Sequence, residues 1–155
     1  MSVRPTQAAD LPDLCAVLDQ TALFPAEMLA DMIAPFLSDP DSLDLWLTAF
    51  VDETPVGFCY AVPAQFADGS WNMLAIAVAP DQQGTGCGGA LTTALLGDLQ
   101  GKGQRVLIAE TSGAAAFEGP RAFYLAQGFE QQGCIRDFWA PGDDKVIFWR
   151  GVQHG

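Results

Sequence analysis

A chain of 155 residues, 50% of them hydrophobic, is long enough to build one buried core without metals or disulfide staples. Its formal net charge of -12 is unevenly spread: thirteen acids face Arg4 alone up to Leu99, whereas six acids meet six Lys or Arg from Gly101 onward. No cluster of Lys and Arg is available to displace counterions from a phosphate backbone, which excludes nucleic-acid binding, and the acidic half favours cations.

Four cysteines (Cys15, Cys59, Cys87, Cys134) lie far apart with no CxxC pair, so they read as small buried hydrophobes rather than a disulfide framework or a zinc knuckle. The opening MSVRPTQAAD lacks a basic stretch followed by an apolar one, and no apolar run of about 18 residues occurs. A soluble cytoplasmic protein without membrane contact, forming one continuous domain over residues 1–155, is the expectation.

In chain order, SVRP is a short extended segment broken by Pro5. Asp10 is placed to cap a helix whose apolar positions Leu11, Leu14, Val17 and Leu18 recur at helical spacing, with Pro12 in its first turn. A second helix after Pro25 gathers Met28, Leu29, Met32, Ile33 and Phe36 on one side. From Trp46 the period shortens: Trp46 to Val51 and Val56 to Val62 read as antiparallel strands around the turn Asp-Glu-Thr-Pro. A third strand, Trp71 to Val78, runs past Pro80 into the glycine-rich segment Gln83-Gly84-Thr85-Gly86-Cys87-Gly88-Gly89, then into an amphipathic helix, Leu91 to Leu99. Arg105 to Thr111 is apolar enough for a strand buried on both faces. A short helix, Pro120 to Gln127, stops at Gly128, and two last strands flank Pro141-Gly142-Asp143-Asp144. The whole predicts an α/β fold, a mixed, mostly antiparallel sheet of about seven strands with about four helices.

The glycine-rich segment concentrates unpaired backbone N–H groups and the positive end of a helix dipole, a place suited to a diphosphate. Missing lysine removes a P-loop, which needs Gly, four residues, then Gly-Lys-Ser/Thr. Gly84, Gly86 and Gly89 match a dinucleotide fingerprint superficially, but antiparallel-looking strands follow where more βαβ units should. A ligand-free connection is the bland alternative, disfavoured by the conformational entropy that so many glycines cost.

Val78-Ala79-Pro80 followed by Gln83-Gly84-Thr85-Gly86-Cys87-Gly88 resembles the Gln/Arg-x-x-Gly-x-Gly/Ala signature of the GCN5-related N-acetyltransferase (GNAT) family, and Phe123-Tyr124-Leu125-Ala126-Gln127-Gly128-Phe129 is similar to its second marker, an aromatic-Tyr segment ending in Gly-Phe. The element order resembles the family's over essentially the whole chain. The resemblance implies acetyl-CoA as the acyl donor, and without His or Cys clusters no metal site is expected. Backbone groups of Ile76, Ala77 and Val78 would pair with the pantetheine arm, and Gln83, Gly84, Thr85, Gly86, Cys87, Gly88 and Gly89 would hold the diphosphate. It also implies central strands that splay, here Trp71 to Val78 and Arg105 to Thr111.

Transfer to an amine needs a polarised carbonyl, a proton for the departing thiolate and a base. Tyr124, at the family's tyrosine position, is the expected proton donor, since a phenol near about 10 and a thiol near about 8.5 can share a proton. A backbone N–H near Ala77 would polarise the carbonyl. Glu110, ending the run Val106-Leu107-Ile108-Ala109, is the candidate base, as a partly desolvated carboxylate facing the gap, with Asp137 weaker. The lone histidine, His154, is penultimate and expected to fray, which leaves nucleophilic triads without a base. Cys87 reads as a spacer.

One departure is Phe117, where many relatives carry an asparagine that contacts the coenzyme; Ser112 is the expected replacement. Arg121 lies beside the adenosine end that the resemblance implies and is a candidate contact for the coenzyme's ribose phosphate, but it reads first as a solvated helix residue. The expected partner is a small-molecule amine or a peptide N-terminus or lysine, with homodimerisation possible. The rival from another class is a non-catalytic acyl-CoA sensor.

Overall fold

The computed structural model describes residues 1–154; the side chain of His154, and with it the expectation placed on that residue, lies outside the described set. Seven strands and four helices alternate as β1 (Ser2–Pro5), α1 (Leu11–Thr21), α2 (Leu29–Ser38), β2 (Leu45–Val51), β3 (Thr54–Pro63), β4 (Ser70–Val78), α3 (Cys87–Gly101), β5 (Val106–Ser112), α4 (Glu118–Ala126), β6 (Glu130–Ala140) and β7 (Asp143–Gly151). They form one sheet in the order β1-β2-β3-β4-β5-β7-β6, in which only β4 and β5 run parallel. The expected mixed, mostly antiparallel sheet is therefore present.

Helical periodicity sets the layers. Leu14, Val17 and Leu18 of α1 and Leu29 and Ile33 of α2 are buried, as are Leu91, Leu95, Leu96 and Leu99 of α3. Neighbouring residues on a strand point to opposite faces. Phe58 of β3 meets Phe24, just beyond α1, edge-on at 6.3 Å, while Gly57 faces the Cys87 sulfur of α3. Tyr124 of α4 rests on Phe148 of β7 at 5.4 Å. The ladder Phe148–Ala109–Met73–Ala61 carries that face back to Gly57, so α3 and α4 cover one side of the sheet and α1 the other.

Three local expectations are corrected. Asp10 does not cap α1 with its carboxylate; it accepts the Gln7 amide at 2.8 Å and a two-pronged pair from Arg4 at 2.9 Å, because a buried carboxylate takes the partner that neutralises it. The β2–β3 turn is tighter than Asp-Glu-Thr-Pro: Asp52 and Glu53 both have positive φ, the two-residue turn whose twist matches that of the flanking strands. Helix α3 begins at Cys87 rather than Leu91, so Gly88 and Gly89 belong to its first turn.

Two irregularities make the site. First, β4 pairs with β5 only from Ser70–Val106 to Met73–Ala109, after which β5 continues to Ser112 on β7 alone and Leu74–Val78 has no partner on that side. At the same point β3 pairs Tyr60 with Ala75 and Ala61 with Met73, leaving Leu74 as the extra residue of a bulge. A bulge bends its strand and steepens its twist, so β4 swings away from β5 where Leu74 is inserted. Second, α4 ends at Gly128, φ +86°, with Phe129 N–H donating to the Tyr124 carbonyl at 3.0 Å and Gly128 N–H to Leu125 at 3.1 Å. This Schellman closure turns the chain back so that Phe129 packs on Tyr124 at 5.5 Å.

Replacing Gly128 by Ala places a Cβ 2.9 Å from the Arg150 guanidinium on a left-handed backbone. The expected cost is about 1–3 kcal/mol, read as a lower midpoint in denaturant titration; an unchanged midpoint would show that the closure is dispensable.

Candidate active site

The parting of β4 from β5 opens a cleft of about 670 Å³ that reaches between α3 and α4. Its walls are Leu74, Ala75, Ile76 and Val78 of β4, the turn residues Gln83, Gly84 and Gly86, the start of α3, Glu110 and Thr111 of β5, and Phe117, Phe123, Tyr124 and Gln127 around α4. Leu23, from the loop between α1 and α2, also lines it, so the opening communicates with the face opposite α3 and α4.

At one end lies the glycine turn. Among the described residues, the backbone N–H groups of Gly84 to Gly89 make no hydrogen bond to another protein group; the first bond of α3 is Ala90 N–H to Gly86 at 2.9 Å. Gly84 and Gly86 have φ of +78° and +91°, and a Cβ on either would meet no protein atom within 4 Å. No packing requirement excludes a side chain at these two positions. What glycine provides is the left-handed backbone and an open approach to the amides, a cradle that fits an anion. Gln83 stitches the turn to the end of β4 by donating to the Val78 carbonyl at 3.1 Å, and the Thr85 hydroxyl donates to the Gln82 carbonyl at 2.5 Å.

Helix α4 closes on α3 at Gly88, where a Cβ would stand 2.8 Å from the Phe123 ring. Cys87 is 1% exposed against the sheet, and burial pushes its thiol up, an inert packing residue rather than a nucleophile. Tyr124 is 7% exposed among Phe123, Phe129 and Phe148 yet lines the cleft, and desolvation pushes its phenol up to about 12. Its hydroxyl makes no hydrogen bond among the described residues.

Glu110 also reaches the cleft. Its carboxylate accepts from the Asn72 amide at 2.9 Å and is ion-paired with Lys145, which lies over the Phe138 ring at 4.1 Å from its centroid. The sequence reading named neither Asn72 nor Lys145. Both meet Glu110 through strand register, β4 on one side and β7 on the other, and nothing local to Glu110 in sequence announces them.

Several predicted residues are placed elsewhere. Ser112 is corrected: it is 5% exposed, its hydroxyl is bonded to Asp143 and accepts the Ala114 amide at 3.0 Å, and it does not line the cleft. The Phe117 side of the cleft is apolar where a polar contact was expected. Ala77 buries its side chain in the core beside Phe58, and Thr85 stands at the outer side of its turn. Asp137, φ 57°, accepts the Gly142 amide at 2.9 Å and organises the β6–β7 turn away from the cleft. Arg121 is half-buried and tethered rather than free; its Nη1 donates to the carbonyls of Ser112 at 2.7 Å and Ala114 at 2.8 Å. No helix among the described residues is long and apolar enough to cross a membrane, and no group of three or more His, Cys, Asp or Glu among them is placed to hold a metal ion.

The family model described as acetyltransferase (GNAT) family matches residues 11–129, more than half of the chain. The chain belongs to the GNAT family of acetyltransferases. Among solved structures, this GNAT chain is similar to one from Desulfovibrio desulfuricans assigned to acetyltransferases of the same family, with 28% identity and a TM-score of 0.88 over 97% of this chain and 98% of that one. An aminoglycoside 6'-N-acetyltransferase complexed with coenzyme A shares the fold at 15% identity and a TM-score of 0.80 (98% and 97% covered). A ribosomal-protein-alanine N-acetyltransferase from Brucella melitensis does so at 22% identity and 0.78 (97% and 99%). No curated protein matches the sequence.

The GNAT chain has two tyrosines, and the phenol of the other, Tyr60, is also raised by burial and then by Asp44. In a Tyr60→Phe variant, spectrophotometric titration of tyrosinate should find the remaining phenol ionising near 12 rather than 10. Because the folded phenol holds its proton more tightly, its contribution to stability is complete below the unfolded value and fades as pH climbs through the folded one. A midpoint at the ordinary value would mean that water reaches the hydroxyl freely.

Proposed function

We propose that this chain transfers an acetyl group from acetyl-CoA directly to an amine of a small molecule or peptide. What carries the reading is a juxtaposition: Gly84, Gly86, Cys87, Gly88 and Gly89, whose backbone amides have no protein acceptor, the partnerless edge of β4 and Tyr124 all border one cleft. Bound acetyl-CoA supplies an activated thioester.

The amides of Gly84 to Gly89, with the dipole of α3 behind them, suit a diphosphate. The edge of β4 from Ile76 to Val78 suits an extended amide-bearing arm laid alongside it as an added strand. A backbone N–H near Ala77 serves the thioester oxygen, where charge develops as the amine attacks. Tyr124 stays protonated through the neutral range because burial disfavours its phenolate. With the phenol near 12, complete transfer to a thiolate whose own value is near about 8.5 is uphill by a factor of about 10³. Tyr124 therefore acts chiefly by donating a hydrogen bond to the departing sulfur. Glu110, fixed by Asn72 and Lys145, is positioned to receive the proton that the amine sheds. Thirteen acids in the first half favour cationic amines over anionic ones as acceptors.

Thiol release from acetyl-CoA should accelerate with at least one member of a panel of polyamines, amino acids and peptides. With that acceptor, Tyr124→Phe should lower kcat by about 10- to 100-fold, the loss of one hydrogen bond to a charged sulfur, while CoA affinity stays essentially unchanged. Tight CoA binding with no amine-dependent release would make the chain an acyl-CoA sensor, and full activity in the Phe variant would remove Tyr124 from the chemistry.

A further inference from the structure

The amine nearest the candidate base belongs to the chain itself. Lys145 of β7 stands opposite Ser112 in the β5–β7 ladder, and its ammonium is ion-paired with Oε2 of Glu110, a residue that lines the cleft. The other oxygen of that carboxylate accepts from Asn72 of β4 at 2.9 Å, so a single carboxylate separates the Lys145 nitrogen from the strand along which the donor arm is proposed to lie. Two aromatic rings hold the nitrogen there, the Phe138 centroid at 4.1 Å and that of Trp139 at 5.9 Å. Trp139 is itself tied to the cleft wall, its indole N–H donating to the Thr111 carbonyl at 3.3 Å. The Lys145 side chain is only 13% exposed, so its amine is turned inward. The sequence holds one other lysine, Lys102. It is exposed and follows the far end of α3, roughly 22 Å along the helix axis from the glycine turn.

We propose, resting on the donor reading above, that Lys145 is an acetyl acceptor in its own right: with acetyl-CoA in the cleft and no other amine bound, the chain acetylates itself there in cis. The four-carbon stem of a lysine is flexible, which lets the amine swing from Glu110 into the cleft that Glu110 lines. The ammonium passes a proton to Glu110, the free amine attacks the thioester carbonyl carbon, and an N–C bond forms as the C–S bond breaks. Collapse releases a second proton from the nitrogen. One of the two protons ends on the thiolate, which Tyr124 hydrogen-bonds, and the other goes to solvent. Holding a nucleophile beside its base and its electrophile raises its effective concentration by many powers of ten, which separates Lys145 from a lysine that meets the donor only in solution. The product is a neutral amide that can no longer pair with Glu110, so one acetylation releases the carboxylate to an incoming amine.

The test incubates the whole chain with acetyl-CoA and no acceptor, read by intact mass and peptide mapping, with Lys102 as the internal control for chemical acetylation. The expected result is thiol release that stops at a single equivalent, with the acetyl group on Lys145 and labelling there at least about 10²-fold faster than at Lys102. The rate constant should be the same at two protein concentrations, as a reaction within one chain requires. Desulfo-CoA, which fills the cleft without offering a thioester, should suppress labelling at Lys145 and leave that at Lys102 unchanged. Lys145→Arg keeps a cation for Glu110 and should lose the single-equivalent release. Equal labelling of the two lysines, labelling indifferent to desulfo-CoA, a rate constant that rises with protein concentration, or a bare Lys145 overturns the inference. A chain that acetylates an added amine but leaves Lys145 bare keeps the proposed function and loses this acceptor. One that labels Lys145 as expected yet serves no added amine keeps this acceptor and loses the reaction with external amines.

Discussion

The bulge at Leu74 is the constraint on which the rest of the architecture turns. One extra residue in β4, opposite the step from Tyr60 to Ala61, coincides with the last β4–β5 pair, Met73 with Ala109. Had the ladder continued, Ile76 and Val78 would be sealed against β5, and the amides of the glycine turn would look onto a closed sheet. Instead the strands part, and α3 and α4 approach each other across the gap through Gly88 and Phe123. Parallel strands that separate would ordinarily expose two rows of unpaired polar backbone, a costly arrangement in a buried place. Here β5 is paired with β7 along its far side, while on the sides that face the gap both strands lack a ladder partner, Leu74–Val78 of β4 and Glu110–Ser112 of β5.

The two ends of that gap use different physics. At the α3 end, consecutive amides have no protein acceptor, and nothing stands within 4 Å of where a Cβ on Gly84 or Gly86 would lie. At the α4 end, an aromatic cluster strips water from one phenol. The Schellman closure at Gly128 links this cluster to the backbone, since it fixes the Tyr124 carbonyl and returns Phe129 to the same ring. On the far side, Glu110 is held between Asn72 and Lys145, a polar bracket set where β4, β5 and β7 lie side by side.

What could be read in the residues before any coordinates was what is local. The glycine turn, the Phe-Tyr segment and the order of elements are short-range patterns, and strand alternation with helical periodicity set most of the architecture. Boundaries slipped where propensity and packing disagree: glycine disfavours helix, which displaced the expected start of α3, although Gly88 and Gly89 are tolerated in a first turn that must lie against Phe123 and Gln127. Ser112 was misplaced because its partner, Asp143, is set by a long-range ladder. Lys145 and Asn72 were invisible for the same reason, as was the engagement of Arg121 with carbonyls that follow β5.

The short β4–β5 ladder divides the sheet into two leaves, β1 to β4 and β5 to β7, stitched by a four-residue seam. A molecule laid along Leu74–Val78 thus does more than occupy a groove; it supplies the missing rung between the leaves. A guest held there would be a removable link between leaves already joined by the seam.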